Sequence, residues 1–393
     1  ASRGGVELRS DTADVGVQDV TAGAAVTVAA RGAVSAGDVV GATTTAGDVT
    51  LSSTDGALTV NSVTAGTSTV ASNVELRSKG DLVVGAGTTR GNIAASGGAK
   101  LESGAALRVG DVTAGQDLRV KAQGALSAGA LRSVNQGIRL ESVAGSVTAA
   151  SASARGPVEL LATAGSTTVD GAVTSTDAGV TVVGRDGVSL RDVRADRGAV
   201  DISATAGAAT LGAVRGTAAV TVTARDAVTA GDVVGATTTA GDVTLTSTDG
   251  ALTVKSVTAG TSTVVSNVAL RSKDSLGVGS DSTRGAVTAS GGVRLESQAA
   301  DVRVGDVTAR NGTLQLIGQQ GASAGAPAVS VGTLTQARSG AARSTPDVEV
   351  TGRQGAVSLR NITATGAVSL SGQSVDTADI SAGGDLDLRV TSA

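Results

Sequence analysis

The chain is punctuated by short phrases in which apolar and polar residues alternate: Val6-Glu7-Leu8-Arg9, Val26-Thr27-Val28-Ala29, Val49-Thr50-Leu51-Ser52, Val74-Glu75-Leu76-Arg77 and Ala99-Lys100-Leu101-Glu102. The phrase begins again at Leu118, Ile138, Val158, Val180, Val200, Val220, Val243, Val268, Val293 and Leu314, at intervals of 19 to 25 residues. Alternation with period two is the mark of a strand with one buried face. One interval can be read from end to end. Val49 to Ser53 predicts a strand, Thr54-Asp55-Gly56 a turn, Ala57 to Val60 a second strand, Asn61-Ser62 a bend, and Val63-Thr64-Ala65 a third strand closed by Gly66. Asp-Gly supplies the turn because both residues tolerate its backbone geometry.

A single interval of this kind cannot bury its apolar face, but stacked intervals bury a continuous column. The expectation is therefore an all-β, elongated parallel β-helix (solenoid) of roughly 20-residue rungs, about 20 of them, making a rod on the order of 90 Å long at about 4.8 Å per rung. Propeller blades repeat at about twice this length. A longer repeat overlies the short one. Residues 26–103 match residues 220–297 at an offset of 194, with 60 of 78 positions identical, and Arg108 to Ala114 returns one residue later as Arg303 to Ala309. Residues 1–393 are thus expected to form a single repeat region with an internal duplication.

The outward positions carry their own signal. Stacking in register places Glu75 beside Lys100, Arg77 beside Glu102, Arg271 beside Glu296 and Lys121 beside Glu141, whereas Arg119 beside Arg139 breaks the pattern. Opposite charges directly across a strand pair contribute about 0.2–1 kcal/mol, and a disordered chain has no cause to arrange them.

Composition narrows the picture further. No Phe, Tyr, Trp, Met, Cys or His occurs, so a core must be built from Val, Leu, Ile and Ala. Gly is frequent at 56 residues, yet 40% of the chain is hydrophobic and the net charge is only −4, which does not fit disorder. The charge balance favours neither nucleic acid nor anionic lipid, and no apolar run is long enough to span a membrane. The opening Ala1 to Gly5 lacks the apolar stretch of a signal peptide and reads as an internal fragment or mature product.

The residues offer little chemistry. Without His, Cys or Tyr, most nucleophile–base pairs and transition-metal sites are unavailable. Asp sits beside Gly at Asp38, Asp48, Asp55, Asp111, Asp186 and Asp249, where turn geometry accounts for it. Gly383-Gly384-Asp385 is an incomplete, unrepeated fragment of a calcium-binding nonapeptide. Lys79-Gly80-Asp81 has the outline of an integrin-binding tripeptide but becomes Lys273-Asp274-Ser275 in the duplicate. Asn311-Gly312-Thr313 and Asn361-Ile362-Thr363 fit the glycosylation pattern. Arg could form a basic stripe for sulfated glycans, though its pairing with Glu favours a neutralised ladder. We expect no catalytic, cofactor-binding or metal residue, no cofactor and no enzymatic activity.

The stretch Gly47-Asp48-Val49-Thr50-Leu51-Ser52-Ser53-Thr54-Asp55-Gly56-Ala57-Leu58-Thr59-Val60, in an Ala/Gly/Val/Thr-rich chain free of aromatics, resembles the shaft of filamentous haemagglutinin, the large adhesin of the two-partner secretion family. The resemblance covers essentially the whole chain. It implies a right-handed helix, a monomeric rod, export through an outer-membrane transporter partner, a place at the bacterial cell surface or outside the cell, and a role in virulence through attachment to host-cell glycans or receptors. The family's Asn-Pro-Asn secretion motifs and Arg-Gly-Asp tripeptide are absent, which places this segment downstream of the secretion domain and argues against integrin binding by it. The competing expectation is a β-helix enzyme or tailspike-like module acting on polysaccharide.

Overall fold

The computed structural model describes residues 3–87, 89–279, 284–321, 326–337 and 346–391. Its named elements are 41 strands, and no helix occurs among the described residues. By backbone contact the chain divides into two units, residues 1–194 and 195–393. Each is a stack of parallel strands, one rung above the next.

In the first unit, one sheet is built from nine five-residue strands, from Val6–Ser10 to Val180–Gly184, each paired in parallel with the strand one rung on. They begin at the positions where the alternating phrase begins. Register is kept without a slip, so Leu8, Val28, Leu51, Leu76, Leu101, Val120, Leu140, Leu160 and Val182 form one inward column. A second parallel sheet is built from longer strands such as Val34–Gly41 and Leu58–Ala65. Here the sequence reading needs adjustment. The segments around Val60 and Val63 are one continuous strand, but the inward set runs Leu58, Val60, then Val63, Ala65, with a phase slip at Asn61-Ser62. The expected bend is therefore a change of facing inside one strand, which turns the wall of the rung without breaking its ladder.

The second unit repeats this plan with nine five-residue strands, from Val200–Ala204 to Leu386–Val390. Nine rungs in each unit fall short of the count that a 20-residue repeat suggests, because loops lengthen many rungs. Val348 follows its partner Leu314 by 34 residues, the widest interval.

Side chains of the inward columns are fully buried: Val49, Leu51, Leu58, Val60 and Val63 are each 0% exposed. Each such Val or Leu is worth about 1.5–3 kcal/mol. A polar column runs beside them. Ser53, Ser103, Ser142, Ser247, Ser272 and Ser297 close the first-sheet strands and are buried. Ser142 Oγ donates to Gly124 O of the preceding rung (2.7 Å) and accepts from Gly145 N (3.1 Å), so one hydroxyl ties two rungs and closes a turn. Ser247 does the same with Asp226 O and Gly250 N. Buried hydroxyls satisfied in this way are neutral to the core rather than a burden on it.

Candidate functional site

The outward charges of the first sheet lie where the stacking argument puts them. Glu75 faces Lys100 and Arg77 faces Glu102, with Lys100 Nζ 3.5 Å from Glu75 and Arg77 Nη2 2.6 Å from Glu102. Lys121 faces Glu141 at 2.9 Å, and Arg271 faces Glu296 at 3.4 Å. Arg119 does face Arg139, but each has its own carboxylate: Arg119 pairs with Asp117 at 3.3 Å, and Arg139 pairs with Glu141 at 3.1 Å and with Glu159 one rung on. The apparent exception is absorbed by carboxylates two residues along the same segment and, for Arg139, by Glu159 directly across the next rung. Burial pushes the Glu102 carboxyl up, but hydrogen bonds from Lys100 and Arg77 outweigh it and hold the pKa below the ordinary range. Glu141 is lowered chiefly by its hydrogen bond from Lys121. This is a surface ion-pair network, and its charges are largely spent on each other.

The turn aspartates do more than fit their turns. Asp48 Oδ1 accepts from Asn73 N (2.9 Å) and Asn73 Nδ2 (3.1 Å), and Asn73 Oδ1 accepts from Gly98 N (2.7 Å). The duplicate repeats the relay through Asp242, Asn267 and Gly292. Asp111 Oδ1 accepts from Ala130 N at 2.7 Å, and Asp38 Oδ1 accepts from Asn61 and Ser62 at 2.6 Å each. Asp55 pairs with Arg31 at 3.0 Å and Asp249 with Arg225 at 2.9 Å, both across one rung. Asp186 is exposed at its turn. These inter-rung bonds escaped the sequence reading because they link residues 19 to 25 positions apart, a spacing visible only once the rung lengths are known.

The remaining motifs have local roles. Asp81 Oδ1 accepts from Ala106 N at 3.0 Å, and Gly80 O accepts the Ser78 and Ser103 hydroxyls. Asn311 Nδ2 donates to Ser290 O at 3.0 Å, and Asn361 sits outward between Thr333 and Asp379. Asp385 is exposed in the last turn. Among the described residues no group of three or more acidic, His or Cys side chains is placed to hold a metal ion. Among the described residues no helix is long and apolar enough to cross a membrane.

A concavity lies on the second sheet of the second unit. Its floor is one outward column, Gly277, Arg303, Ser330, Ser358 and Asp376, each facing the next across a rung. Two grooves of about 1070 and 660 Å³ meet there and share Arg284, Ser330 and Ser358. Arg284 Nη2 donates to Ser330 Oγ at 2.8 Å, as Arg90 does to Ser127 in the first unit. Arg303 Nε contacts the carboxylate of Asp301, whose side chain is only 2% exposed. No sequence signal marked this place, since it depends on residues drawn from five rungs. Comparisons with protein-family models, with curated proteins and with solved structures each returned no match.

Proposed function

We propose that the chain is a repetitive shaft segment of a large secreted bacterial surface adhesin of the filamentous haemagglutinin type, holding or presenting attachment surfaces to host cells. The observation that carries this reading is the commitment of the polar residues to the stack itself. The buried serines, the Asp–Asn relays and the Arg–Asp and Lys–Glu pairs each join one rung to the next. A chain so organised has its side chains invested in continuity, and its stability sums over neighbouring rungs. Export partners, extracellular placement and a part in virulence follow from the resemblance and share its standing as a proposal.

Removing a whole number of rungs tests the shaft reading. Deleting residues 220–292 joins the turn before Val220 to the strand at Val293 and takes out three rungs. A shaft keeps its β-sheet circular dichroism and cooperative melting, and a cell-surface display of the variant still supports attachment. The rival reading as a polysaccharide-processing enzyme requires reducing ends to be released from a glycan panel. Turnover abolished by one Asp→Asn change would overturn the shaft proposal. The glycan-binding version of that rival draws its support from the groove of the second unit.

A further inference from the structure

We infer that the groove over Arg303, Ser330 and Ser358 is a binding site for a carboxylate-bearing sugar chain, with Arg284 and Arg303 taking the carboxylate. The inference goes beyond the shaft reading and can fail without touching it.

Shape comes first. The floor runs along the stack, across the strands, over the rungs of Gly277, Arg303, Ser330, Ser358 and Asp376. Five rungs at about 4.8 Å span roughly 20 Å, so the site suits a linear ligand. Gly277 stands where the first copy has Val83, and the missing side chain lowers the floor.

Chemistry comes second. A guanidinium carries five N–H donors in a fixed fork. Arg284 directs one to Ser330, and Arg303 meets Asp301 through Nε, which among the described residues leaves donors on both for a planar oxyanion. Arginine takes carboxylates in a bidentate way. Asp301 lines the groove, is almost wholly buried, and holds Arg303 through its Nε edge, which fixes the guanidinium at the groove. Asp301 also stands at the one-residue insertion that shifts the two copies from an offset of 194 to 195. Arg284, Arg303 and Arg360 are offset by Asp301, Asp306 and Asp376 around the same grooves, so the site suits sparse carboxylates rather than dense sulfates. No aromatic residue is present to stack a nucleobase.

Divergence comes third. Of the 18 differences between residues 26–103 and 220–297, nine fall in the 15 positions 80–94 and their counterparts 274–288, a segment whose described residues 275–279 and 284–286 line this groove in the second unit. Within it Arg90 and Arg284 are both kept. The frame is retained while its surroundings change, as expected where one copy has acquired a ligand.

The test is titration calorimetry of the 393-residue chain with hexagalacturonate, with a sialic acid oligomer, with neutral dextran oligosaccharide and with dextran sulfate. The inference predicts saturable binding of a carboxylated probe, the two acidic arms distinguishing uronate from sialate. Arg303→Ala and Arg284→Ala should each weaken it about tenfold or more, and neutral dextran should not bind. Arg225→Ala, a remote exposed arginine, is the control and should change nothing. Arg284→Ala leaves the Asp301–Arg303 contact in place, so its loss of binding cannot be ascribed to an unpaired buried carboxylate. Failure of both carboxylated probes to bind would overturn the site. So would binding indifferent to both variants, or a preference for dextran sulfate weakened equally by Arg225→Ala.

Discussion

The two copies of the duplicated block, residues 26–103 and 220–297, differ in a way that separates what builds a rung from what decorates it. Both hold a non-glycine residue in the left-handed region at the same corner, Ala42 at φ 57° and Ala236 at φ 54°. Both capture the loop before the next rung with a serine, Ser96 Oγ to Val70 O at 2.7 Å and Ser290 Oγ to Val264 O at 2.6 Å. Both keep the Asp–Asn–Gly relay. The outward network is kept only in part, for Arg271 still pairs with Glu296 as Arg77 does with Glu102. Glu75, which lies between Arg77 and Lys100, is Ala269 in the second copy, so Arg294 there keeps only the same-strand contact with Glu296 that Lys100 makes with Glu102. Inward and corner residues answer to the rungs above and below, so they tolerate little. Outward residues answer mainly to water, where an ion pair is worth about 0–1 kcal/mol, so they drift.

The comparison breaks first at the core. Leu51→Asp places a carboxylate without a partner in a site that is 0% exposed, and we expect a loss of about 3–5 kcal/mol. Thr50→Asp, on the outward face of the same strand, should cost under about 1 kcal/mol. Hydrogen exchange should show protection lost around Leu51 and retained around its counterpart Leu245. Equal damage from the two substitutions would refute the in/out assignment, and loss at both leucines would refute nearest-neighbour coupling.

Corners should come next. A Cβ on Gly66, at φ +78°, would stand 1.9 Å from Ser96 Oγ, and one on Gly260, at φ +75°, would stand 1.9 Å from Ser290 Oγ. A Cβ on Gly87, at φ +55°, meets nothing within 4 Å. Gly66→Ala and Gly260→Ala should therefore cost several kcal/mol each, combining backbone strain with a clash, whereas Gly87→Ala should cost about 1 kcal/mol. Urea titrations of the three variants decide the order, and a Gly87 variant as damaged as the other two would contradict it.

The smallest effect is electrostatic. Ala269→Glu restores the missing member of the second network and should stabilise by about 0.5 kcal/mol or less at neutral pH and low salt, vanishing at high salt. Acid should expose the same interactions. Glu102 and Glu141 have pKa values lowered in the folded chain. Their contribution is thus fully present above the ordinary carboxylate range and lost as pH falls through the lowered native values. Melting temperature should decline below about pH 4, and Glu102→Gln should flatten that decline slightly. A profile that rises on acidification would show the sign to be wrong.

What was legible in the sequence follows from the same division. Period-two alternation reports the inward face directly, so Leu51, Leu76 and Leu101 could be placed in one column, and the Glu75–Lys100 and Arg77–Glu102 pairs could be drawn before any coordinates. The rungs starting at Val348, Val368 and Leu386 were harder to see, because the 34-residue interval after Leu314 breaks the rhythm. The buried serine column was hidden because Ser53 and Ser142 look like ordinary strand ends until their partners one rung back are known. The groove was hidden most deeply. Nothing local to Asp301 or Gly277 announces it, since its geometry comes from stacking five rungs in one register.

That register is the central claim, and a disulfide can read it directly, the chain having no cysteine of its own. Thr50 and Glu75 face each other across adjacent rungs. Parallel neighbours lie about 4.8 Å apart, within the span of about 4.4–6.8 Å that a disulfide bridges. Thr50 and Arg77, offset by two residues, stand beyond it. Mild oxidation of Thr50→Cys/Glu75→Cys should close the bond in nearly all molecules without loss of β structure, while Thr50→Cys/Arg77→Cys should stay reduced. Equal yields, or preferential closure of the offset pair, would contradict the in-register parallel stack.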